Sequence, residues 1–173
     1  MSSPRRISAV CAAALLAAVT QASAPFEPNA RRATTSTVAP DACALLSDAQ
    51  ISAALEVTTF PGKHLGSTST TTCIWSSDPT GSGDSRRVTL SIITVAAFDR
   101  GKSSPVIHTE PAQGVGDDAY YEVFRADSPF LVVRKGSVAF TVRVVNGLKL
   151  KAFTNDEERS KEKTLAQAAL KSL

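Results

Sequence analysis

The feature that most constrains the fold of this 173-residue chain is a pair of cysteines, Cys43 and Cys73. The third cysteine, Cys11, lies in an N-terminal segment that we expect to be removed on export. An even number of cysteines in an exported domain predicts a disulfide. Such a bridge closes a loop of about 30 residues and stabilises the fold by roughly 3–4 kcal/mol on the chain-entropy model. The alternative is that both residues are buried free thiols.

The N-terminal segment has the three parts of a secretory signal peptide. Two arginines at positions 5 and 6 precede a short apolar run, and the small residues Ala22–Ala24 suit signal peptidase. We therefore predict a signal peptide over residues 1–24, whose apolar run is too short to span a bilayer. Cleavage after position 24 would leave Pro25 at the new N-terminus, which the peptidase disfavours. Cleavage after Ala22, or further into the following segment, is the alternative.

The same segment lacks the features of a lipoprotein signal. Cys11 sits inside the apolar run and follows Val10, where a lipobox has a small residue. We therefore expect a mature protein that is soluble after signal cleavage, secreted or periplasmic, with no stable membrane span.

The rest of the chain suits one small domain that follows a linker. Residues 25–40 are rich in Pro, Thr and Ala without hydrophobic periodicity, which predicts a disordered linker. Residues 41–173 are long enough for a single domain with one modest core. Removal of the two signal-peptide arginines lowers the formal net charge from +3 to about +1. Because no basic stripe is interleaved with aromatic residues, we expect no nucleic-acid partner.

Capping and alternation patterns predict an α+β domain. Ser47 and Gln50 form a capping-box pattern that begins a short helix, and Thr154 and Glu157 form another that begins the C-terminal helix. We expect an antiparallel sheet of about five strands, with both helices packed on one face and the other face able to stay open. The predicted helices are Asp48–Glu56 and Asn155–Leu173, and the predicted strands are Thr71–Ser77, 88–92, Ala119–Arg125, Phe130–Arg134 and Val138–Val145.

The stretch GVGDDAYY, residues 114–121, matches the G-x-G-x-x-A pattern of a dinucleotide-binding loop. That fingerprint needs a preceding strand and a following helix, whose N-terminus holds the pyrophosphate. Here a β-rich run follows the glycines, and Asp117 and Asp118 would turn two negative charges toward a diphosphate. We therefore predict a structural turn at Gly114 and Gly116, and no cofactor.

Other chemical motifs in the sequence are incomplete. Residues 101–103 (GKS) match the end of a Walker A loop, but Ala96 stands at its first glycine position and Pro105 disfavours the helix that must follow. His64 and His108 lie in predicted loops, and neither has a histidine or cysteine at metal-ligand spacing. No G-x-S-x-G elbow or recognisable carboxylate pair occurs. We expect no catalytic and no metal-binding residues.

Five motifs, taken in order, resemble a family of small secreted proteins and lipoproteins of unknown function that is abundant in actinobacteria. They are DACALLSDAQISAAL at 41–55, CIW at 73–75, GVGDDAYY at 114–121, VVRKGSVAFTV at 132–142 and LAQAALKSL at 165–173. The resemblance implies a disulfide between Cys43 and Cys73, a turn that leads into a strand at GVGDDAYY, and a compact α+β fold of the Mog1/PsbP type. It implies no catalytic residue. The chain departs from the lipoproteins of that family in lacking a convincing lipobox.

The function expected from these features is that of an exported, non-enzymatic binding or interaction module of the cell envelope or medium. Its partner would be an unknown envelope protein or a small ligand. The alternatives are a small extracytoplasmic hydrolase that uses dispersed residues, and an inhibitor or accessory subunit of an envelope enzyme. A pocket with convergent acids or a Ser/His contact would favour the hydrolase, whereas a flat apolar patch would favour a binding role.

Overall fold

A seven-stranded antiparallel sheet organises the part of the chain that the computed structural model describes, residues 39–67, 69–80, 85–123, 129–147 and 153–173. These residues all belong to one unit, Thr37–Leu173. The predicted signal peptide and all but the last two residues of the predicted linker lie outside the described residues. The elements in chain order are a 3₁₀ helix (Ala42–Ala44), α1 (Asp48–Leu55), β1 (Lys63–His64), β2 (Thr72–Ser76), β3 (Arg87–Ile93), α2 (Val95–Ser103), β4 (His108–Pro111), β5 (Asp118–Val123), β6 (Phe130–Lys135), β7 (Val138–Val145) and α3 (Asn155–Leu170).

Two meanders build the sheet, in the strand order β1-β2-β3-β7-β6-β5-β4. The first meander comprises β1 to β3 and the second comprises β4 to β7, and within each one every strand pairs with its neighbour in sequence. The pairing of β3 with β7 joins the meanders along seven residue pairs, from Arg87 opposite Val145 to Ile93 opposite Ala139. Strand β7 is consequently the middle strand of the sheet.

The structure confirms an α+β domain with an antiparallel sheet, and it corrects the expected number of strands from about five to seven. The five predicted strands are β2, β3, β5, β6 and β7. The two additional strands form the edges of the sheet, where β1 has two residues and β4 has four. Strands of two and four residues are too short to show the alternation of apolar and polar residues by which a strand is predicted from sequence. They are defined by their pairing, with His64 opposite Cys73 and Glu110 opposite Tyr121.

The main core lies between one face of the sheet and the helices α1 and α3, as predicted for the two terminal helices. Helix α3 ends at Leu170 rather than at the predicted Leu173, which lies beyond the helix and is 46% exposed. The buried residues of the main core include Leu46, Ile51, Leu55, Cys73, Trp75, Val88, Leu90, Tyr121, Leu131, Val133, Phe140, Val142, Val144, Leu165, Ala166 and Ala169.

Helix α2 packs on the opposite face of the sheet, in a segment where the sequence predicts only a long connection. Phe98 is fully buried there against Tyr120, with ring centroids 5.0 Å apart, and the Tyr120 hydroxyl donates to the Phe98 carbonyl at 3.0 Å. Val132 and Ala139 complete this second cluster. Because successive side chains of a strand point to opposite faces, these residues alternate with those of the main core.

Local sequence signals set the first residues of both terminal helices, as predicted. At α1 the Ser47 hydroxyl accepts from the Gln50 amide, and the Gln50 side chain accepts from the Ser47 amide. Thr154 and Glu157 form the same reciprocal pair at α3. Within the described residues, every helix is too short or too polar to cross a membrane.

Two glutamates extend the buried side of α3. Glu158 and Glu162 lie two turns and one turn, respectively, before Leu165 and Ala166 and are almost completely inaccessible to solvent. The Glu162 carboxylate accepts a hydrogen bond from the Val144 amide at 3.0 Å. Burial raises the pKa of the Glu162 carboxyl to about 8, and the nearby charge of Glu158 acts in the same direction.

Candidate functional site

Cys43 and Cys73 form a disulfide that ties the 3₁₀ helix to strand β2, with their Cα atoms 5.0 Å apart. Cys73 is fully buried in the main core, and Trp75 lies two residues further along the same face of the strand. A Cβ placed on Gly62 would come within 2.8 Å of the Cys73 Sγ and 2.5 Å of the Trp75 Nε1. The bridge and the indole therefore share one tightly packed layer of the core.

The glycines of GVGDDAYY lie in a sharp bend that leads into strand β5. Gly114 and Gly116 have φ of +76° and +63°, in the left-handed region that favours glycine. A Cβ on Gly116 would lie 2.5 Å from the Arg134 carbonyl oxygen. Because a strand follows the glycines, the bend lacks the helix N-terminus that a pyrophosphate site of this type uses.

Both aspartates after the glycines tie this bend to neighbouring elements. The Asp117 carboxylate accepts from the Lys135 ammonium at 2.7 Å and from the Gly136 amide at 2.8 Å. These two hydrogen bonds lower the pKa of Asp117 below its ordinary value. Asp118 forms an ion pair with Lys102 at 2.6 Å. The acids of this motif thus hold the β6–β7 turn and the end of α2.

The Walker-like residues 101–103 are the last three residues of α2. A phosphate-binding loop precedes its helix, so that the free amides of the helix N-terminus face the phosphates. In this chain residues 101–103 lie at the C-terminal end of α2, where the helix macrodipole is negative. This geometry is opposite to the one that the motif requires.

The structure brings His64 beside Asp41 and the disulfide, an arrangement that the sequence spacing does not indicate. The His64 Nε2 lies 2.7 Å from the Asp41 Oδ1, which also accepts from the Cys43 amide at 2.8 Å. The hydrogen bond to His64 is the main reason that the pKa of Asp41 is lowered. One ligand atom each from Asp41, Cys43 and His64 lie within 4.8 Å of one another. We name these three residues together with Cys73 the disulfide corner.

The other histidine, His108, is exposed at the edge of the sheet, with its Nε2 3.5 Å from a Glu110 oxygen. Within the described ranges, the side-chain hydrogen bonds and ion pairs of both histidines go to carboxylates. Among these contacts, neither imidazole is hydrogen-bonded to a serine or threonine hydroxyl, as a nucleophile–base pair would require.

A second candidate is the part of the sheet that α2 leaves uncovered. The pairing registers place Lys63, Ile74, Thr89 and Arg143 in one row across four strands, on the same face as α2. Arg143 is exposed although β7 is the middle strand. We name this surface the open face and define it by Lys63, Ile74, Arg87, Thr89, Thr141 and Arg143.

The open face is cationic. Within the part of the chain that the structure describes, no carboxylate lies within ion-pair distance of Lys63, Arg87 or Arg143. Arg87 and Arg143 lie diagonally opposite each other on adjacent strands, because Arg87 pairs with Val145 and Thr89 with Arg143. Diagonal neighbours of this kind are roughly 7–8 Å apart.

Two shallow hollows lie on the open face. One has a volume of about 240 Å³ and includes Phe60, Lys63, Arg87 and also the acidic Asp78 in its walls, with Phe60 43% exposed. The other has a volume of about 230 Å³ and is lined by Thr89, Phe130, Thr141 and Arg143. Each hollow therefore combines an aromatic side chain with an arginine.

The register of the strands brings these residues together from positions far apart in the sequence. The sequence alone predicts that one sheet face can stay open, but it contains no signal for which cations lie on that face. No protein-family model, curated protein or solved structure matches this chain.

Proposed function

We propose that this protein is an exported, non-enzymatic binding module of the cell envelope or medium, and that its open face binds an acidic segment of a partner protein. The observation that carries the proposal is the exposed Arg143 on the middle strand of the sheet, next to Arg87 and, among the described residues, with no carboxylate within ion-pair distance. Charged residues on the central strands of a sheet are usually covered or paired, so an uncovered cationic row suits an anionic ligand.

The spacing of the cations favours an extended peptide. Strands lie roughly 4.8 Å apart, so the row from Lys63 to Arg143 spans roughly 14 Å, the length of about four extended residues. Alternate side chains of an extended peptide repeat at roughly 6.6–7 Å, close to the diagonal separation of Arg87 and Arg143. The aromatic hollows can take the apolar side chains of the same segment.

Three further parts of the proposal rest on the sequence. Export is supported by the signal-peptide pattern over residues 1–24, and it agrees with the disulfide. Membership of the family of small secreted proteins and lipoproteins of actinobacteria is supported by the order and spacing of its five motifs. A Mog1/PsbP-type arrangement is supported by an antiparallel sheet with helices on both faces.

The test measures binding of a fluorescein-labelled peptide of alternating Glu and Thr by fluorescence anisotropy, with a Gln/Thr peptide as the uncharged control. We expect binding of the acidic peptide only, and weaker binding as salt is raised. The double variant Arg87→Gln/Arg143→Gln should weaken binding by about tenfold or more. The matched control Arg100→Gln/Lys171→Gln removes the same charge from an exposed position of α2 and from the exposed residue that follows α3, and it should leave the affinity unchanged. Equal loss in both double variants would contradict the proposal.

A further inference from the structure

We infer that the disulfide corner is a latent metal site: when the bridge is reduced, Asp41, Cys43, His64 and Cys73 bind one zinc-like divalent cation. This inference does not rest on the proposed function, although His64 also lines one hollow of the open face. Two thiolates, an imidazole and a carboxylate form a ligand set that zinc accepts in tetrahedral sites. Three of the four ligand atoms are already within 4.8 Å of one another in the oxidised protein.

The distances required of the site are close to those present. With zinc–sulfur bonds of about 2.3 Å and zinc–nitrogen and zinc–oxygen bonds of about 2.0–2.2 Å, tetrahedral ligand atoms lie roughly 3.3–3.8 Å apart. The His64 nitrogen and the Asp41 oxygen, now 2.7 Å apart, must separate by roughly 0.6 Å to admit the ion. The Cys73 sulfur is bonded to the Cys43 sulfur but lies outside that group of three atoms, so it must move toward them by side-chain rotation after reduction.

The fold holds the four ligands on two supported segments. Asp41 and Cys43 belong to the start of the 3₁₀ helix, which the Ala42 amide anchors to the Thr70 carbonyl at 2.9 Å. His64 and Cys73 lie directly opposite each other in the β1–β2 pair. The His64 and Asp41 side chains are 34% and 42% exposed, whereas Cys73 is buried. A cation can therefore enter from solvent on the His64 side.

The redox step needs an external dithiol. The dithiol supplies two electrons and two protons, the Cys43–Cys73 bond breaks, and the reductant leaves as a disulfide. Metal binding then displaces both thiol protons to solvent, and His64 binds through an unprotonated ring nitrogen. The ion is thus held by two thiolates, one neutral imidazole and one carboxylate. Reoxidation by an external disulfide, which takes the two electrons and leaves as a dithiol with two protons from solvent, re-forms the Cys43–Cys73 bond, removes half of the ligands and releases the metal.

The test uses Co²⁺ as a spectroscopic probe with the protein reduced by a phosphine and then freed of reductant under anaerobic conditions. We expect one Co²⁺ per chain, with the visible absorption of a tetrahedral ion and the charge-transfer band of thiolate ligands. The oxidised protein should give neither signal. Zn²⁺ should displace Co²⁺, and it should raise the melting temperature of the reduced protein relative to a sample with chelator.

Substitution of the histidines separates this site from adventitious binding. His64→Ala should lower Co²⁺ affinity by about tenfold or more and shift the visible spectrum, whereas the matched control His108→Ala should bind like the unaltered protein. Asp41→Asn should weaken binding while keeping the thiolate band. A spectrum and affinity that are the same in His64→Ala and the unaltered protein would overturn the inference.

Loss of the bridge typically costs about 2–5 kcal/mol and can unfold a small domain, so near-ultraviolet circular dichroism of Trp75 accompanies each titration. A reduced chain that is unfolded in chelator should refold when one equivalent of Zn²⁺ is added. Metal binding without recovery of the Trp75 signal, or a folded reduced protein with no thiolate band, would overturn the inference.

Discussion

At the scale of single residues, Glu162 is the clearest departure from sequence pattern. It lies on the same side of α3 as Leu165 and Ala169. The helix therefore buries a carboxyl group at a position where an amphipathic helix would ordinarily have an apolar residue. The pairing of β6 with β7 stops at Leu131 opposite Val142, so β6 provides no backbone carbonyl for the Val144 amide. The Glu162 carboxylate accepts that hydrogen bond instead. Its second oxygen, Oε2, is buried without a hydrogen-bond partner. Such a group is costly when charged.

We expect the stability of the domain to fall as pH rises because of Glu162. Its pKa is about 8 in the folded state, against an ordinary value of 4.5. Between these values the folded protein keeps a proton that the unfolded chain loses. The free energy of unfolding should therefore decrease from about pH 4.5 to about pH 8, by at most ~1.4 kcal/mol per pH unit. Urea denaturation at a series of pH values measures this slope.

Glu162→Gln keeps an acceptor for the Val144 amide but cannot ionise. The variant should lose this part of the pH dependence and should be more stable than the unaltered protein above about pH 8. Asp156→Asn, at an exposed position of the same helix, serves as the control and should keep the slope. Parallel pH profiles for Glu162→Gln and the unaltered protein would show that another group is responsible.

Gly116 combines two constraints that glycine alone satisfies. Its φ of +63° strains any residue with a Cβ, and that Cβ would meet the Arg134 carbonyl oxygen at 2.5 Å. Gly116→Ala should therefore lower the free energy of unfolding by roughly 2–4 kcal/mol. Gly136 has a similar φ of +57° with open space around its Cβ position, so Gly136→Ala should cost only about 1 kcal/mol. Chemical denaturation of the two variants isolates the effect of the close contact, and equal losses would contradict it.

At the scale of elements, the predictions succeed where a signal is local. Two capping boxes identify α1 and α3, because the residues that satisfy the free amides of a helix lie within four positions of each other. Helix α2 has weaker signals: the Thr94 hydroxyl accepts from the Ala97 amide, and Pro105 follows the last turn. From the sequence alone, this proline indicates that no helix can begin after the Walker-like residues 101–103. The structure shows that it follows a helix end, which is a common position for proline.

Phe98 is the one large side chain of α2 that is fully buried. Phe98→Ala removes the fully buried ring that contacts Tyr120 and should cost about 3–5 kcal/mol. Arg100→Ala, at an exposed position of the same helix, should change stability by less than about 0.5 kcal/mol. Guanidinium denaturation distinguishes the two. A small effect of Phe98→Ala would mean that α2 contributes little to the stability of the domain.

At the scale of the whole molecule, the sites depend on pairing that no local pattern contains. His64 reaches Asp41 because β1, a strand of two residues, pairs with β2. Arg87 and Arg143 become neighbours because β3 pairs with β7, about 50 residues later in the chain. The sequence indicates the fold class, the disulfide and the turn at Gly114 and Gly116, since each rests on a few adjacent residues or on a pair of rare ones. The register of the β1–β2 and β3–β7 pairs decides which cationic side chains and which candidate metal ligands lie next to each other.

The β3–β7 pairing also makes the domain divisible. One covalent connection, through α2 and residues 104–107, links the two meanders, and Val106 in that connection is 88% exposed. The disulfide and the pairings of β1 to β3 lie before this connection, while the pairings of β4 to β7 lie after it. If the chain is cut in this connection, every strand pairing can remain. The β3–β7 pair is then the one strand pair that joins two separate fragments.

We therefore expect the domain to behave as a split protein. A protease site inserted at Val106 should be cleaved in the native state, and the two fragments should then co-elute in size-exclusion chromatography with the near-ultraviolet spectrum unchanged. After separation in denaturant, the fragments should reassemble in equal proportion, at a rate that depends on concentration. The same insertion with an uncleaved linker is the control. Fragments that separate without denaturant would show that the chain needs its covalent continuity, whereas reassembly would make this small domain a two-part complementation tag.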